Sequence, residues 1–203
     1  MTTVTLALAA YLIGSVSFAV ITSRVFHLPD PRTYGSGNPG ATNVLRSGNK
    51  AAAVLTLLGD AFKGWCAVWL AQRFAPVGAT ELTMALAGAL SVIGHMYPVF
   101  HGLQGGKGVA TALGALLGFS GHLGLGAITT WLIIAVFFRM SSFASITSAV
   151  FAVFTTWMLF GFAHPFFASV ALVAVLLIYR HRQNIKNILA GTERKLGQKA
   201  KSG

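Results

Sequence analysis

The sequence predicts an all-α integral membrane protein, a single multi-pass domain over residues 1–203 with about seven transmembrane helices. Hydrophobic residues make up 55% of the chain and charged residues only 9%, whereas a soluble domain carries about a quarter charged residues. The mean hydropathy is +0.70, and apolar stretches recur along the whole length, which is typical of several spans. These observations exclude a soluble globular protein.

The first apolar stretch is interpreted as a span rather than a signal peptide, because it lacks a basic leader and a small-residue cleavage site. Several later stretches are shorter than the ~20 residues of a typical span, so we expect them to extend into polar flanks or to line a site. Turn-forming proline and glycine separate the stretches. The one long connection is 24–50; the shorter gaps contain Pro76, Gly78, Gly102 and Gly121, and the last span begins at Pro165. The predicted spans are approximately 4–23, 51–71, 82–99, 108–120, 124–138, 145–160 and 165–180.

Positive charge predicts the orientation of these spans. The chain carries a formal net charge of +11, and with seven spans 13 of its 15 lysines and arginines fall on one side. The positive-inside rule then places the N-terminus in the periplasm and the C-terminus in the cytoplasm. The basic tail, 181–203, also favours the anionic headgroups of membrane lipids. Since topology accounts for most of the charge, we expect no binding of nucleic acid.

A five-span arrangement is the alternative. It fuses residues 108–138 into one helix and 145–180 into another, which moves Arg139 to the outside while the tail stays inside. Seven spans therefore fit the positive-inside rule better, by that one arginine.

Three polar residues interrupt the apolar spans. Asp60 and Lys63 lie three residues apart on one face of the second span, so they can pair. An ionisable group in a span is costly and marks a functional site, but an internal ion pair that fixes helix packing explains these two equally well. His95, near the cytoplasmic end of the third span, either makes a structural hydrogen bond or belongs to a site.

Two glycine-rich stretches have the composition of phosphate-binding loops. "GSGNPGATN", residues 35–43, contains a G-x-G-x-x-G pattern. No strand precedes it, and the acidic residue at the expected spacing, Asp60, lies in a span, so a dinucleotide site is not supported. "QGGKGVAT", residues 104–111, lacks the lysine followed by a hydroxyl residue that ends a P-loop.

Both loops nevertheless have a physical basis for binding an anion. Glycines let successive backbone N–H groups converge on it. In the first loop Ser36, Thr42 and Asn43 add side-chain donors, and Arg46 offers a bidentate fork. In the second loop Lys107 supplies a cation beside a helix N-terminus, which also attracts anions. These stretches therefore predict a phosphate site.

A third polar stretch, "YRHRQNIKNILAGTE" at residues 179–193, begins at the end of the last span. A basic stop-transfer anchor accounts for its arginines and lysines. Such an anchor does not require His181, Asn184 or Glu193, so a functional role for these three is the alternative.

Together, "GSGNPGATNVLR", "GGKGVAT" and "HRQNIKNILAGTE" resemble, in order and spacing, the three cytoplasmic motifs of the bacterial acyl-phosphate-dependent glycerol-3-phosphate acyltransferases, the PlsY family. "GDAFKG", "GHMYPVF" and "MSSFASI" are also similar to that family, so the resemblance covers nearly the whole chain. It implies a multi-pass enzyme of the bacterial inner membrane whose active site faces the cytoplasm. The implied reaction transfers an acyl chain from acyl phosphate to the sn-1 hydroxyl of glycerol-3-phosphate. Its products are lysophosphatidic acid and inorganic phosphate, in phospholipid biosynthesis.

The resemblance also implies the partners and the site residues. The partners are glycerol-3-phosphate, acyl phosphate and membrane lipids; a soluble supplier of acyl phosphate is left open, and neither a cofactor nor a metal is needed. The catalytic candidates are Lys107, His181, Asn184 and Arg46. The candidates for binding substrate or phosphate are Ser36, Gly37, Asn38, Gly40, Ala41, Thr42, Asn43, Gly105, Gly106, Gly108, Thr111, Ser141, Ser142 and Glu193.

Two further roles follow as hypotheses. Glu193 is expected to pair with a motif arginine. His181 stands between Arg180 and Arg182, whose positive charges lower its pKa and keep it neutral, so either His181 or a substrate phosphate accepts the hydroxyl proton. The alternative function is a phosphate or organophosphate transporter, but the polar motifs gather on one face and the sequence shows no convincing internal repeat.

Overall fold

The computed structural model of the chain describes residues 1–196, which contain ten α-helices and no β-strand. Lys199 and Lys201 of the predicted basic tail lie outside the described residues. Short 3₁₀ turns, Leu45–Ser47 and Val99–His101, follow the third and fifth helices. The helices are α1 Thr3–Ser15, α2 Phe18–Val25, α3 Ala41–Val44, α4 Lys50–Phe74, α5 Thr80–Met96, α6 Val109–Phe119, α7 Gly121–Phe138, α8 Ser141–Phe160, α9 Pro165–Arg180 and α10 Arg182–Leu189.

The first predicted span, 4–23, is two helices rather than one. The Ser17 hydroxyl caps α2 by accepting a hydrogen bond from the Val20 N–H at 3.5 Å. Val16, just before it, is extended, which leaves its carbonyl oxygen to accept a hydrogen bond from Lys63 Nζ at 2.6 Å. The break therefore supplies a backbone partner for a charged side chain inside the bundle.

All seven predicted apolar segments are helical, but their lengths differ. By length and composition the candidate membrane spans are α4, α7, α8, the α1–α2 pair, and α5 together with the 3₁₀ turn that follows it. α9 qualifies only together with α10, from which it is bent by 59°. α6 has 11 residues, about 16 Å or half the thickness of a bilayer core. The described residues thus contain five or six candidate spans, and the predicted number of seven is not confirmed.

The five-span alternative requires continuous helices over 108–138 and 145–180, and the structure breaks both. Ser120 is extended between α6 and α7. Gly161, with φ +83°, ends α8 before α9 begins. Neither fused helix exists in the described part of the chain.

Small residues let the central helices approach closely. A β-carbon at Gly64 of α4 would collide with the Thr111 carbonyl oxygen of α6, and one at Gly114 of α6 would collide with that of Ala61 in α4. Close contacts of this kind at small residues are typical of membrane bundles. They fix α6, whose N-terminal end follows Lys107, against the rest of the bundle.

The polar motifs meet at one end of the bundle. The first loop precedes α4, the second precedes α6, and the third begins where α9 ends. The segment after α10 folds back to the α7–α8 turn, where the Leu196 N–H donates to the Arg139 carbonyl oxygen at 2.6 Å. This end of the bundle holds the candidate site.

Candidate active site

The first glycine-rich loop is held in shape by one buried amide. Asn43 donates through Nδ2 to the Pro31 and Tyr34 carbonyl oxygens, at 2.7 and 3.1 Å. Its Oδ1 accepts hydrogen bonds from the Ser36 N–H at 3.0 Å and from Arg46 Nη1 at 3.4 Å. Since the amide is engaged within the loop, Asn43 shapes the loop and positions the Arg46 guanidinium.

The same loop requires glycine and reaches the start of α8. Gly35 and Gly37 have φ of +63° and +67°, a left-handed conformation that glycine adopts without strain. A β-carbon at Gly35 would also collide with Asn43 Oδ1. Thr42 Oγ1 lies 3.3 Å from Ser141 Oγ. Ser141, predicted in a loop before a span at 145, is the first residue of α8.

The second glycine-rich loop is anchored from two sides. Arg180, the last residue of α9, donates to the carbonyl oxygens of Gly105 at 2.6 Å and of Gly106 at 3.2 Å. On the other side, the Gly106 N–H donates to the His95 carbonyl oxygen at 3.0 Å. β-Carbons at both glycines would collide with His95. These contacts fix the direction in which the next residue, Lys107, leaves the loop.

Beneath this loop, the three polar residues of the spans form one buried network. Lys63 Nζ lies 2.9 Å from His95 Nδ1 and 2.8 Å from Asp60 Oδ1; the latter is an ion pair without hydrogen-bond alignment. His95 Nδ1 is 3.5 Å from Asp60 Oδ1. The geometry therefore supports both a structural role in helix packing and a role in the site. The network joins α4 to α5, while Asp60 and His95 also line the cavity of the site.

A chain of hydrogen bonds joins the second loop to the third motif. Lys107 Nζ donates to Asn184 Oδ1 at 2.6 Å, and Asn184 Nδ2 donates to Glu193 Oε1 at 2.7 Å. Ser142 Oγ donates to the same carboxylate oxygen at 2.6 Å. The expected ion pair between Glu193 and an arginine is absent from residues 1–196. The bend after α9 brings Glu193 to Ser142 and Asn184 instead.

Burial makes the ammonium group of Lys107, the lysine in this series of hydrogen bonds, easier to deprotonate. It lowers the pKa of Lys107 from 10.5 to about 8. The negative charge of Glu193 opposes this shift, and the positive charges of Arg46 and Arg180 reinforce it. Burial also lowers the pKa of Arg46 from its usual 12.5. The site is thus a cationic region in which one member, Lys107, titrates near physiological pH.

His181 lies at the bend between α9 and α10 and is neutral. Burial, followed by the charge of Lys107, lowers its pKa from 6.5 to about 4. The sequence predicted the direction but assigned it to Arg180 and Arg182; Arg180 contributes least, and Arg182 is exposed. Nδ1 lies 2.8 Å from the Leu177 carbonyl oxygen. Because a carbonyl only accepts, Nδ1 carries the proton and Nε2 is left as an acceptor.

A cavity of about 900 Å³ joins these groups to the interior of the bundle. Its mouth is polar, and its deeper part is lined by small and apolar side chains of α5 to α9. Gly37, Gly105 and Gly106 shape the loops behind it, and Thr111 packs towards α4 with a buried hydroxyl. The predicted site residues that line the cavity are Ser36, Asn38, Gly40, Ala41, Thr42, Asn43, Arg46, Lys107, Gly108, Ser141, Ser142, His181, Asn184 and Glu193.

The motifs did not point to several other residues of the site. Arg180 was explained by a basic anchor, although it stands next to His181. Ser145 and Ser148 also line the cavity. They follow Ser141 at intervals of four and three residues, so helical periodicity alone places all three serines on one face of α8.

Comparisons with known proteins agree with this geometry. The family model described as "Glycerol-3-phosphate acyltransferase" matches residues 4–191. A glycerol-3-phosphate acyltransferase of Ralstonia nicotianae is 62% identical over 200 residues, which cover 98% of this chain and 96% of the relative. The crystal structure of PlsY, an integral membrane glycerol 3-phosphate acyltransferase, in its glycerol 3-phosphate form has a TM-score of 0.89 at 37% identity over 96% of each chain. Its lysophosphatidic acid form has a TM-score of 0.87 at 36% identity, over 96% of this chain and 95% of PlsY.

These similarities extend over nearly the full length of the chain; the family model spans the first two motifs, the third as far as Gly191, and the helices that position them. They favour the acyltransferase over the transporter considered from the sequence. The resemblance seen in the motifs is therefore confirmed, and the chain belongs to the glycerol-3-phosphate acyltransferase (PlsY) family of integral membrane enzymes.

Proposed function

We propose that this glycerol-3-phosphate acyltransferase takes its acyl chain from acyl phosphate and transfers it to the sn-1 hydroxyl of glycerol-3-phosphate. The products are lysophosphatidic acid and inorganic phosphate. The observation that carries the proposal is the cavity, whose polar mouth holds the cations Lys107 and Arg46 above an apolar interior. Phosphate groups suit such a mouth, and a fatty chain suits such an interior.

The reaction requires the hydroxyl oxygen to attack the acyl carbonyl carbon while the bond from that carbon to the phosphate oxygen breaks. Acyl phosphate is already activated, so positioning and charge neutralisation supply most of the catalysis. Lys107 and Arg46 hold the phosphate groups and stabilise the negative charge on the departing phosphate. Asn184 and Ser142, both oriented by Glu193, position the substrates between them.

The proton of the attacking hydroxyl goes to the departing phosphate. A histidine with a pKa of about 4 is a weak base at neutral pH. A phosphate monoester dianion accepts a proton with a pKa of about 6, and the phosphate oxygen released when the acyl bond breaks is more basic still. His181 Nε2 accepts a hydrogen bond from the hydroxyl and aligns it for attack. His181 therefore orients the acceptor substrate, and the substrate phosphate is the final base.

The proposal includes the orientation of the protein in the bacterial inner membrane. All seven apolar segments insert, with the N-terminus in the periplasm and the site and C-terminus in the cytoplasm. Support comes from the cations Arg46, Lys107, Arg139 and Arg180, which share the site end of the bundle. α6 is too short to cross the bilayer by itself, and the polar loop before it supplies the rest of the crossing. A soluble protein that supplies acyl phosphate has access to this mouth from the cytoplasm.

Purified protein in detergent micelles tests the donor. Palmitoyl phosphate, palmitoyl-CoA and palmitoyl-acyl carrier protein are each supplied with glycerol-3-phosphate, and the product and its acylated carbon are identified by mass spectrometry and NMR. We expect palmitoyl phosphate alone to give sn-1 lysophosphatidic acid with equimolar phosphate.

Two variants accompany this assay. Lys107→Ala is expected to lower the rate by ~100-fold or more, and Lys186→Ala, at an exposed position of α10, is the matched control that leaves it unchanged. Product from palmitoyl-CoA but none from palmitoyl phosphate would overturn the proposed donor.

A further inference from the structure

The cavity ends at the same depth on four of the helices around it. At 1.5 Å per residue, that end lies about 16 Å from the helix ends at the mouth. The apolar interior therefore reaches the same depth on these four helices. The deepest lining residues of α6, α7, α8 and α9 each lie ten or eleven residues from the mouth, and they are Phe119, Ala127, Ala152 and Ser169.

Three phenylalanines form an aromatic floor: Phe119 lies at this level, and Phe166 and Phe160 lie behind it, farther from the mouth. Phe119 faces the cavity. Its ring stacks on Phe166 with centroids 4.5 Å apart, and Phe166 meets Phe160 edge-on at 5.4 Å. A β-carbon at Gly88 of α5 would collide with the Phe119 ring. The absence of a side chain at Gly88 therefore makes room for Phe119 across the end of the cavity.

The aromatic floor belongs to the packed core of the bundle. Phe119 and Phe160 pack against a buried cluster from α6 to α9 that includes Leu116 and Leu123. They also pack against a second buried cluster, from α1, α4, α5, α6 and α9, that includes Phe166. Because both sides are packed, a chain that reaches the floor meets fixed aromatic rings.

We infer that the aromatic floor, through Phe119, determines the length of acyl chain that the enzyme accepts. The inference rests on the proposed function, in which the cavity holds the acyl chain. Each methylene buried above the floor strengthens binding by about fourfold. A longer chain must displace packed rings or bend out of the cavity, and it loses that gain. Catalytic efficiency therefore rises with chain length up to the floor and falls beyond it.

The kcat/KM values for saturated acyl phosphates from decanoyl to eicosanoyl test this inference. Phe119→Ala deepens the cavity and moves the peak to chains longer by about two to four methylenes. Ala152→Phe fills the same level from α8 and moves the peak to shorter chains. Phe154→Ala is the matched control, since Phe154 is 49% exposed on the outer face of α8, and it keeps the wild-type profile.

Phe119→Leu, a smaller truncation, moves the peak in the same direction by less and replaces the alanine variant if that protein does not fold. A folded Phe119 variant with an unchanged peak would overturn the inference. Thermal stabilisation by lysophosphatidic acids of the same chain lengths provides a readout that does not involve the donor. A wild-type enzyme that rejects acyl phosphate refutes the proposed donor, whereas an unchanged peak in lysophosphatidic acid binding refutes the aromatic floor.

Discussion

Arg180 Nη2 lies 2.6 Å from the carbonyl oxygen of Gly105, so the last residue of α9 holds the loop that presents Lys107. The guanidinium also lies over the Tyr97 ring, 5.4 Å from its centroid, which adds a cation–π contact. Because His181 is the next residue, this contact sets the distance between the Lys107 loop and the group that we propose orients the acceptor substrate.

Arg180→Lys is expected to lower kcat by about 10- to 100-fold. A single ammonium does not reproduce the fork that spans two carbonyl oxygens, and losing a hydrogen bond from a charged group costs about 1.5–3 kcal/mol. Steady-state kinetics with both substrates measure the effect. Arg182→Lys is the matched control, because Arg182 is exposed and contacts Tyr179 rather than the loop. Wild-type kcat in Arg180→Lys would show that the loop keeps its shape without the fork.

The pKa of Lys107 predicts an alkaline limit to activity. Its pKa in the free enzyme is about 8, so the ammonium is present below pH 8 and is lost as the pH rises through that value. We expect log kcat/KM for glycerol-3-phosphate to fall with a slope of about −1 above pH 8. In Lys107→Arg this limb moves out of range, because the guanidinium stays protonated. A limb at the same pH in both enzymes would assign it to another group.

His181→Ala is expected to lower kcat by ~100-fold at saturating glycerol-3-phosphate. His181→Gln retains more activity, because its amide oxygen is still an acceptor. With a pKa of about 4, the histidine stays neutral at pH 5 and above, so wild type and His181→Gln share the same profile between pH 5 and 7. An acidic limb lost in His181→Gln would mean that the histidine titrates there, and a rise in KM alone would make it a binding residue.

Lys63→Met is expected to destabilise the protein by about 3–5 kcal/mol, because it leaves the buried Asp60 carboxylate without its ion-pair partner. Adding Asp60→Asn removes the uncompensated charge and recovers part of the loss. Thermal unfolding in detergent measures both, with Arg73→Met as the control at an exposed position of the same helix. An unchanged Tm in Lys63→Met would show that the network contributes no stability.

The sequence predicts those features of the structure that depend on residues close together in the chain. The apolar segments and the glycine-rich loops depend on neighbouring residues, and all seven predicted segments are helical. The break at Val16 was missed because no proline marks it. At this break the Val16 carbonyl oxygen accepts a hydrogen bond from Lys63, which lies 47 positions away in the chain.

Partners of individual site residues were harder to predict, because they depend on helix packing. Glu193 was expected to meet an arginine, but the fold brings it to Ser142, 51 positions away. Asn43 was expected to contact phosphate, but its amide is engaged by its own loop. Arg180 stands in a basic stretch that is typical of a membrane anchor. Its hydrogen bond to Gly105 depends on how α9 packs, which the sequence does not reveal.

The carboxylate of Glu193, which accepts hydrogen bonds from Ser142 and Asn184, follows every candidate membrane span within residues 1–196. Ser142 belongs to α8 and Asn184 to α10, so this shared contact forms only when α8 and α10 have packed together. The Glu193 carboxylate therefore joins its two partners as a late step in the assembly of this end of the bundle.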